Sequence, residues 1–122
     1  FEQLVRRHQG MVRAQLRRDF DEAFGRFDVL LTPTTPEPAF RIGEQVDDPL
    51  SMSLSAIFTA PAHLVGIPAM AVPSGFTAAG LPLSLQIMAP DFQETVMFRA
   101  GAFYEGETGW WKKTPSRPPG HE

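Results

Sequence analysis

Along the first 27 residues the apolar face recurs at 1, 4/5, 8, 11/12, 16, 20, 23/24 and 27, with His8 taking one of its positions. That is the period of a helix, and it predicts a long amphipathic one from Phe1 to Phe27 with Gly25 as its stop. Arg6, Arg7, Arg13, Arg17 and Arg18 fall largely off the stripe. The pattern then shortens. Asp28 to Thr32 reads as a buried strand ended by Pro33, and Thr34 to Val46 has no period, as a proline-stiffened loop should. A second helix is expected to start at Asp47 or Asp48, with Pro49 in its first turn. Its stripe is Leu50, Leu54, Ile57, Phe58, Pro61, Leu64 and Val65, and Gly66 is its stop. Ala69–Val72, ended by Pro73-Ser-Gly75, and Leu83–Met88 make a predicted hairpin across the turn Ala78-Ala-Gly80. Asp91-Phe-Gln-Glu94 has the form of a capping box before a last helix striped by Phe92, Val96, Ala100, Phe103 and Tyr104. The order helix, strand, helix, strand, strand, helix predicts an α/β class, with part of a sheet covered by helices and an edge left open.

The chain has 122 residues, 43% hydrophobic and 20% charged, which suits one folded domain with a real core. Without cysteine there is no disulfide framework and no thiolate chemistry. A net charge of −3 makes no general case for nucleic-acid binding, although six of the eleven basic residues are arginines in the first 26 positions. No apolar run approaches the roughly 18 residues of a membrane span. Phe1 stands inside the amphipathic pattern, with no methionine or signal arrangement before it, so an excised C-terminal piece is expected.

Three phrases carry a resemblance. They are Asp28-Val-Leu-Leu-Thr-Pro-Thr-Thr-Pro-Glu-Pro-Ala-Phe40, the run Phe58-Thr-Ala-Pro-Ala-His-Leu-Val-Gly-Ile-Pro-Ala-Met-Ala-Val-Pro-Ser-Gly-Phe76, and Gly80-Leu-Pro-Leu-Ser-Leu-Gln86. Together they closely resemble the C-terminal third of the amidase signature family. Phe40-Arg-Ile-Gly-Glu44 and Asp47-Asp-Pro-Leu50 narrow the likeness to the A subunits of glutamyl-tRNA(Gln) amidotransferases. The resemblance implies the C-terminal part of a mixed sheet covered by helices, over residues 1–111, with 112–122 as a flexible tail. It implies hydrolysis of glutamine in the intact protein. The ammonia passes to a partner subunit that uses ATP and Mg²⁺ to convert Glu-tRNA(Gln) to Gln-tRNA(Gln), and some relatives also process Asp-tRNA(Asn). Partners of the B and C type, indirect contact with tRNA and a cytoplasmic setting follow from the same likeness.

In that family a serine attacks the carboxamide, activated by a lysine through a second serine, because a hydroxyl is a weak nucleophile until a neighbour takes its proton. The family keeps these groups upstream, in a Gly/Ser-rich region. Here the lysines are Lys112 and Lys113, in the polar tail, and Ser74-Gly75 is a turn signal. The chain alone is therefore expected to lack the catalytic set. His8 and His121 sit on a helix stripe and in the tail. His63, where the A subunits usually have asparagine, is expected as a hydrogen-bonded polar group at a helix end. No histidines and carboxylates stand at metal-ligand spacing.

Met52-Ser-Leu-Ser-Ala56 departs from the family. The matching stretch usually has tyrosine at 53 and, at 56, the aspartate that holds the α-ammonium of glutamine. Ala56 marks that position, and Ser55 and Thr59 flank it as expected pocket residues. The alternatives are a free-standing amidase for small or aryl amides, which Ala56 favours, and a non-catalytic assembly domain. The arginine face suggests either a solvated surface or tRNA contact. Pro33-Thr-Thr-Pro36 reads as a strand end, though it has the PxxP form. Trp110 and Trp111 read as an anchor on the core, or as a partner surface if exposed.

Overall fold

The computed structural model describes residues 2–43 and 53–115, residues 2–9 by their backbone alone. Helix α1 spans Glu2–Phe24. It stops at the glycine the pattern points to: the Gly25 N–H still reaches Asp21, and those of Arg26 and Phe27 both turn to the Ala23 carbonyl at 3.0 Å. Phe27 is thus beyond the helix and exposed. Strand β1 is Leu30–Pro33, two residues later at its start than the pattern suggests, and Pro33 is its last member rather than its terminator. Expected to be buried, it is instead half-covered, with Leu31 56% exposed. The reason is its place at the edge of the described sheet, where among the described residues one flank has no partner strand and proline's missing N–H costs no ladder bond.

The expected start of the second helix, Asp47 or Asp48, lies outside the described residues. Residues 53–55 are helical and 56–59 form tight turns, so the continuous run to Val65 is interrupted. Pro61 explains the break, since it has no N–H for the Ile57 carbonyl and its ring crowds that position. Helix α2 begins afresh at Ala60–Val65 with Pro61 in its first turn. Gly66, at φ 79°, ends it, and the N–H groups of Gly66 and Ile67 both bond to the Ala62 carbonyl.

Strand β2 runs Ala69–Phe76 and β3 runs Pro82–Met88. The three strands are antiparallel in the order β1-β3-β2. Pro73-Ser-Gly75 does not stop β2. A bulge between Pro73 and Gly75 absorbs Ser74, and the ladder continues to Phe76 opposite Pro82. The hairpin is the predicted one. Thr77 and Leu81 close its turn, with Gly80 at φ 82° donating its N–H to Thr77.

Successive residues of β3 face opposite layers. Ile87 joins Val72, Ala89 and Met97 in a core beneath α3, which spans Glu94–Thr108. Met88 joins Ala62 and Ile67, against Phe20, Phe24 and Leu30, on the side of α1 and α2. The result is helix, sheet, helix in three layers. The capping box does not form: the N-cap of α3 is Gln93, without a side-chain cap. Asp91 is drawn instead to Arg17, far away in sequence. The stripe of α3 is also rotated. Phe92 and Phe103 are 91% and 72% exposed, Val96, Ala100 and Tyr104 are half-buried, and the residues fully turned inward are Met97 and Gly101. A Cβ at Gly101 would stand 2.9 Å from the Met70 Cε, so a larger residue there requires the flexible end of Met70 to shift. The helix runs two residues past Gly106 to a cap at Gly109, φ 63°, and a 3-10 turn follows at Trp110–Lys112.

Candidate functional site

The 53–59 segment and the loop after β1 face each other across a cleft of about 580 Å³. Pro36, Pro38, Phe40, Leu54 and Ile57 make most of its wall, with Glu37 and Ser55 supplying polarity. Thr35 holds the loop's bend by donating its hydroxyl to the Glu37 carbonyl at 2.8 Å. A cleft of this kind accommodates an organic molecule with a long apolar contact and few polar ones.

Of the three residues singled out around the amide pocket, Ser55 lines the cleft, and Ala56 and Thr59 do not. Ala56 is exposed on the turn. Its carbonyl accepts the N–H groups of Thr59 and Ala60, at 3.1 and 2.8 Å, and also the Thr59 hydroxyl at 3.3 Å. The Thr59 side chain is therefore committed to the turn.

Gln86 does not line the cleft but bonds to the segment that walls it, a link that the sequence pattern does not reveal. It lies in the middle strand, 4% exposed, and its Nε2 donates to the Thr32 Oγ1 at 3.1 Å and to the Phe58 carbonyl at 3.0 Å. A carbonyl oxygen can only accept, so the amide nitrogen must face Phe58. This one side chain joins β3, β1 and the 53–59 segment. The available signal is a polar residue inside the apolar run Leu83–Met88.

Two arginines of the α1 face, Arg13 and Arg17, are used within the molecule. Arg13 donates through Nε to the Leu64 carbonyl, and Arg17 through Nη1 to that of Val65 at 3.5 Å. The last carbonyls of a helix lack intrahelical donors, and these two guanidinium groups serve them at the end of α2. Arg17 also pairs with Asp91 and, at 3.1 Å, with Asp21. The hydrogen bond to Asp91, reinforced by the charge of Asp21, holds the Arg17 pKa above its ordinary value despite partial desolvation. Asp91 Oδ1 is buried with no hydrogen-bond partner.

His63 sits at the helix end, as expected, exposed on the last turn of α2, while the side chains of His8 and His121 lie outside the described part. Lys113 lies 4.5 Å over Trp110 and Lys112 5.4 Å over Trp111. Trp110 anchors as expected, edge-on to Phe76 at 6.3 Å and against Gly75. Trp111 is exposed. Among the described residues no group of three or more His, Asp or Glu is placed to hold a metal, and no helix is long and apolar enough to cross a membrane.

Known proteins share this sequence and this fold. The Amidase family profile matches residues 2–98. The chain is 56% identical over 88 residues to the A subunit of glutamyl-tRNA(Gln) amidotransferase from Koribacter versatilis, covering 72% of this chain and 18% of that protein. The crystal structure of the corresponding A subunit from Thermotoga maritima superposes with a TM-score of 0.69 at 42% identity, covering 73% of this chain and 19% of that one. The structure of 6-aminohexanoate cyclic dimer hydrolase gives a TM-score of 0.73 at 25% identity, covering 88% of this chain and 24% of that one. The chain spans about a fifth of the length of the curated relatives it matches.

Proposed function

The chain belongs to the amidase family, and from that premise we propose that it is the C-terminal part of the glutamine-hydrolysing A subunit of a glutamyl-tRNA(Gln) amidotransferase. The observation that carries this reading is the 44–56% identity to such subunits over 72–91% of the chain. In this reading the intact subunit releases ammonia from glutamine in the cytoplasm. B- and C-type partners, with ATP and Mg²⁺ bound to one of them, convert Glu-tRNA(Gln) to Gln-tRNA(Gln). The lysine and serines of the hydrolysis lie outside the chain. Its own part is the scaffold, residues 1–111 with a tail at 112–122, and one wall of the amide pocket around Ser55 to Thr59.

A second reading is favoured by Ala56 and by the apolar cleft beside it: the intact protein hydrolyses small or aryl amides that carry no α-ammonium. The two separate on one substitution in the full-length protein. A charged hydrogen bond contributes about 1.5–3 kcal/mol, and alanine at 56 supplies none. Ala56→Asp is expected to raise kcat/KM for glutamine about tenfold, mainly through KM, because the contact is made in ground and transition states alike. An amide lacking the α-amino group should be unaffected. Equal change in both substrates, or in neither, removes position 56 from the ammonium site.

The same reading predicts association. β1 and β2 each have one strand neighbour in the described sheet, and Leu31 on β1 and Phe98 and Phe103 on α3 are exposed. Open edges with apolar neighbours recruit another chain. Light scattering of the 122-residue chain is expected to show mass rising with concentration. A monomer over a wide range, with sharp cooperative unfolding, contradicts this.

A further inference from the structure

We infer that Gln86 is a positioning residue for the amide pocket: its side-chain amide fixes the 53–59 segment against the sheet and thereby sets one wall of the cleft. The inference rests on the reading of that cleft as part of the amide site. Pro61 interrupts the helical run just after this segment, so the backbone there is held by short-range turns: Ala56 to Ser53 at 3.3 Å, Ile57 to Leu54 at 3.1 Å and Thr59 to Ala56 at 3.1 Å. Turns of this kind do not fix their own distance from a sheet. Gln86 does, with a 3.0 Å bond to the Phe58 carbonyl from a strand paired on both sides. Its other bond, to Thr32 in β1, stiffens the amide, because Thr32 is the direct cross-strand partner of Gln86. Leu54, Ser55 and Ile57, on the cleft, precede the tethered carbonyl by one to four positions. On the opposite wall, the loop from Thr35 leaves β1 three residues after Thr32. One amide group therefore references both walls to the same strand. A leucine would fill the space and leave the Phe58 carbonyl without this donor.

The test uses the full-length protein carrying this chain, with Gln86→Leu and Thr32→Val compared to the wild type. Thr32→Val removes the other bond of the same amide and leaves the Phe58 tether in place. Gln86→Leu is expected to lower hydrogen-exchange protection at Thr59 and Ala60 about tenfold relative to the β2–β3 amides, as loss of one buried hydrogen bond implies. It is also expected to raise KM for a hydrolysed amide about tenfold, with kcat held within about twofold. Thr32→Val, which loses only the stiffening bond and keeps the Phe58 tether, should raise KM by no more than about twofold. If Gln86→Leu does not accumulate as folded protein, Gln86→Met, of the same length and without a donor, takes its place. Exchange that rises equally across the whole sheet, or a KM that moves equally in Thr32→Val, reduces Gln86 to general stability and overturns the inference. If the wild type hydrolyses no amide in a panel including glutamine, the functional reading fails by itself. The exchange comparison then still decides whether Gln86 holds the segment.

Discussion

Ile87→Ala is expected to lower the unfolding free energy by about 2–5 kcal/mol, the range for deleting a large aliphatic side chain from a packed core. Ile87 is 1% exposed and stands in the central strand, in contact with Val72, Ala89 and Met97. Little surrounding structure is free to collapse into the space, because β1 and β2 fix the strand from both sides and α3 closes the face. A loss of that size is a large share of the roughly 5–15 kcal/mol that holds a domain folded. The informative control is Phe103→Ala. The helical period places Phe103 on the buried stripe, but it is 72% exposed, and its loss should stay within about 0.5 kcal/mol. Chemical denaturation of both variants at one protein concentration makes the comparison. Similar midpoint shifts in the two would mean that α3 does not sit on the sheet as described.

The second large effect concerns catalysis. The 122-residue chain by itself is expected to release no ammonia from glutamine or from aryl amides. In a serine hydrolase, loss of the nucleophile costs on the order of 10⁶ in kcat. Both lysines of the chain lie over tryptophan rings, which among the described residues leaves neither placed beside a serine as the activating base the family uses. Ammonia is followed over time with purified chain. Turnover that survives repurification and vanishes on mutating one of the chain's own serines, Ser55 of the cleft first among them, would place a nucleophile here after all.

Much of this architecture is legible in the sequence, because glycine and proline punctuate it. The stops at Gly25 and Gly66 and the turn before Leu81 follow from local backbone preferences that no distant residue overrides. The misses have a common physical origin in partners far along the chain. Whether Pro33 or Pro73 ends a strand depends on whether that strand lies at an edge, and the edge is decided by β3, which is read later. Asp91 is an apt N-cap until Arg17 competes for its carboxylate across 74 positions. Gly101 has no side chain to score as apolar, yet it is buried against Met70 while Phe103 is exposed. Of the residues picked out through family likeness, Ser55 lies on the cleft and Ala56 and Thr59 do not. The part played by Gln86 is not legible, since nothing in a strand pattern says which carbonyl a polar side chain will meet.

The position of β3 between its neighbours also orders the making of the fold in time. Phe76 meets Pro82 across a short turn, whereas Leu30 meets Met88, 58 positions later. On a ribosome adding 5–20 residues per second, β1 is finished about 3–12 s before its partner exists. During that interval Leu30 and Leu31 lack the β3 residues they pair with in the described sheet, Met88 and Ile87. The hairpin closes quickly once it emerges, because its loop is short. Docking of the early segments onto it is then the slow, entropically costly closure, and Arg17 reaching Asp91 is among the last contacts it completes.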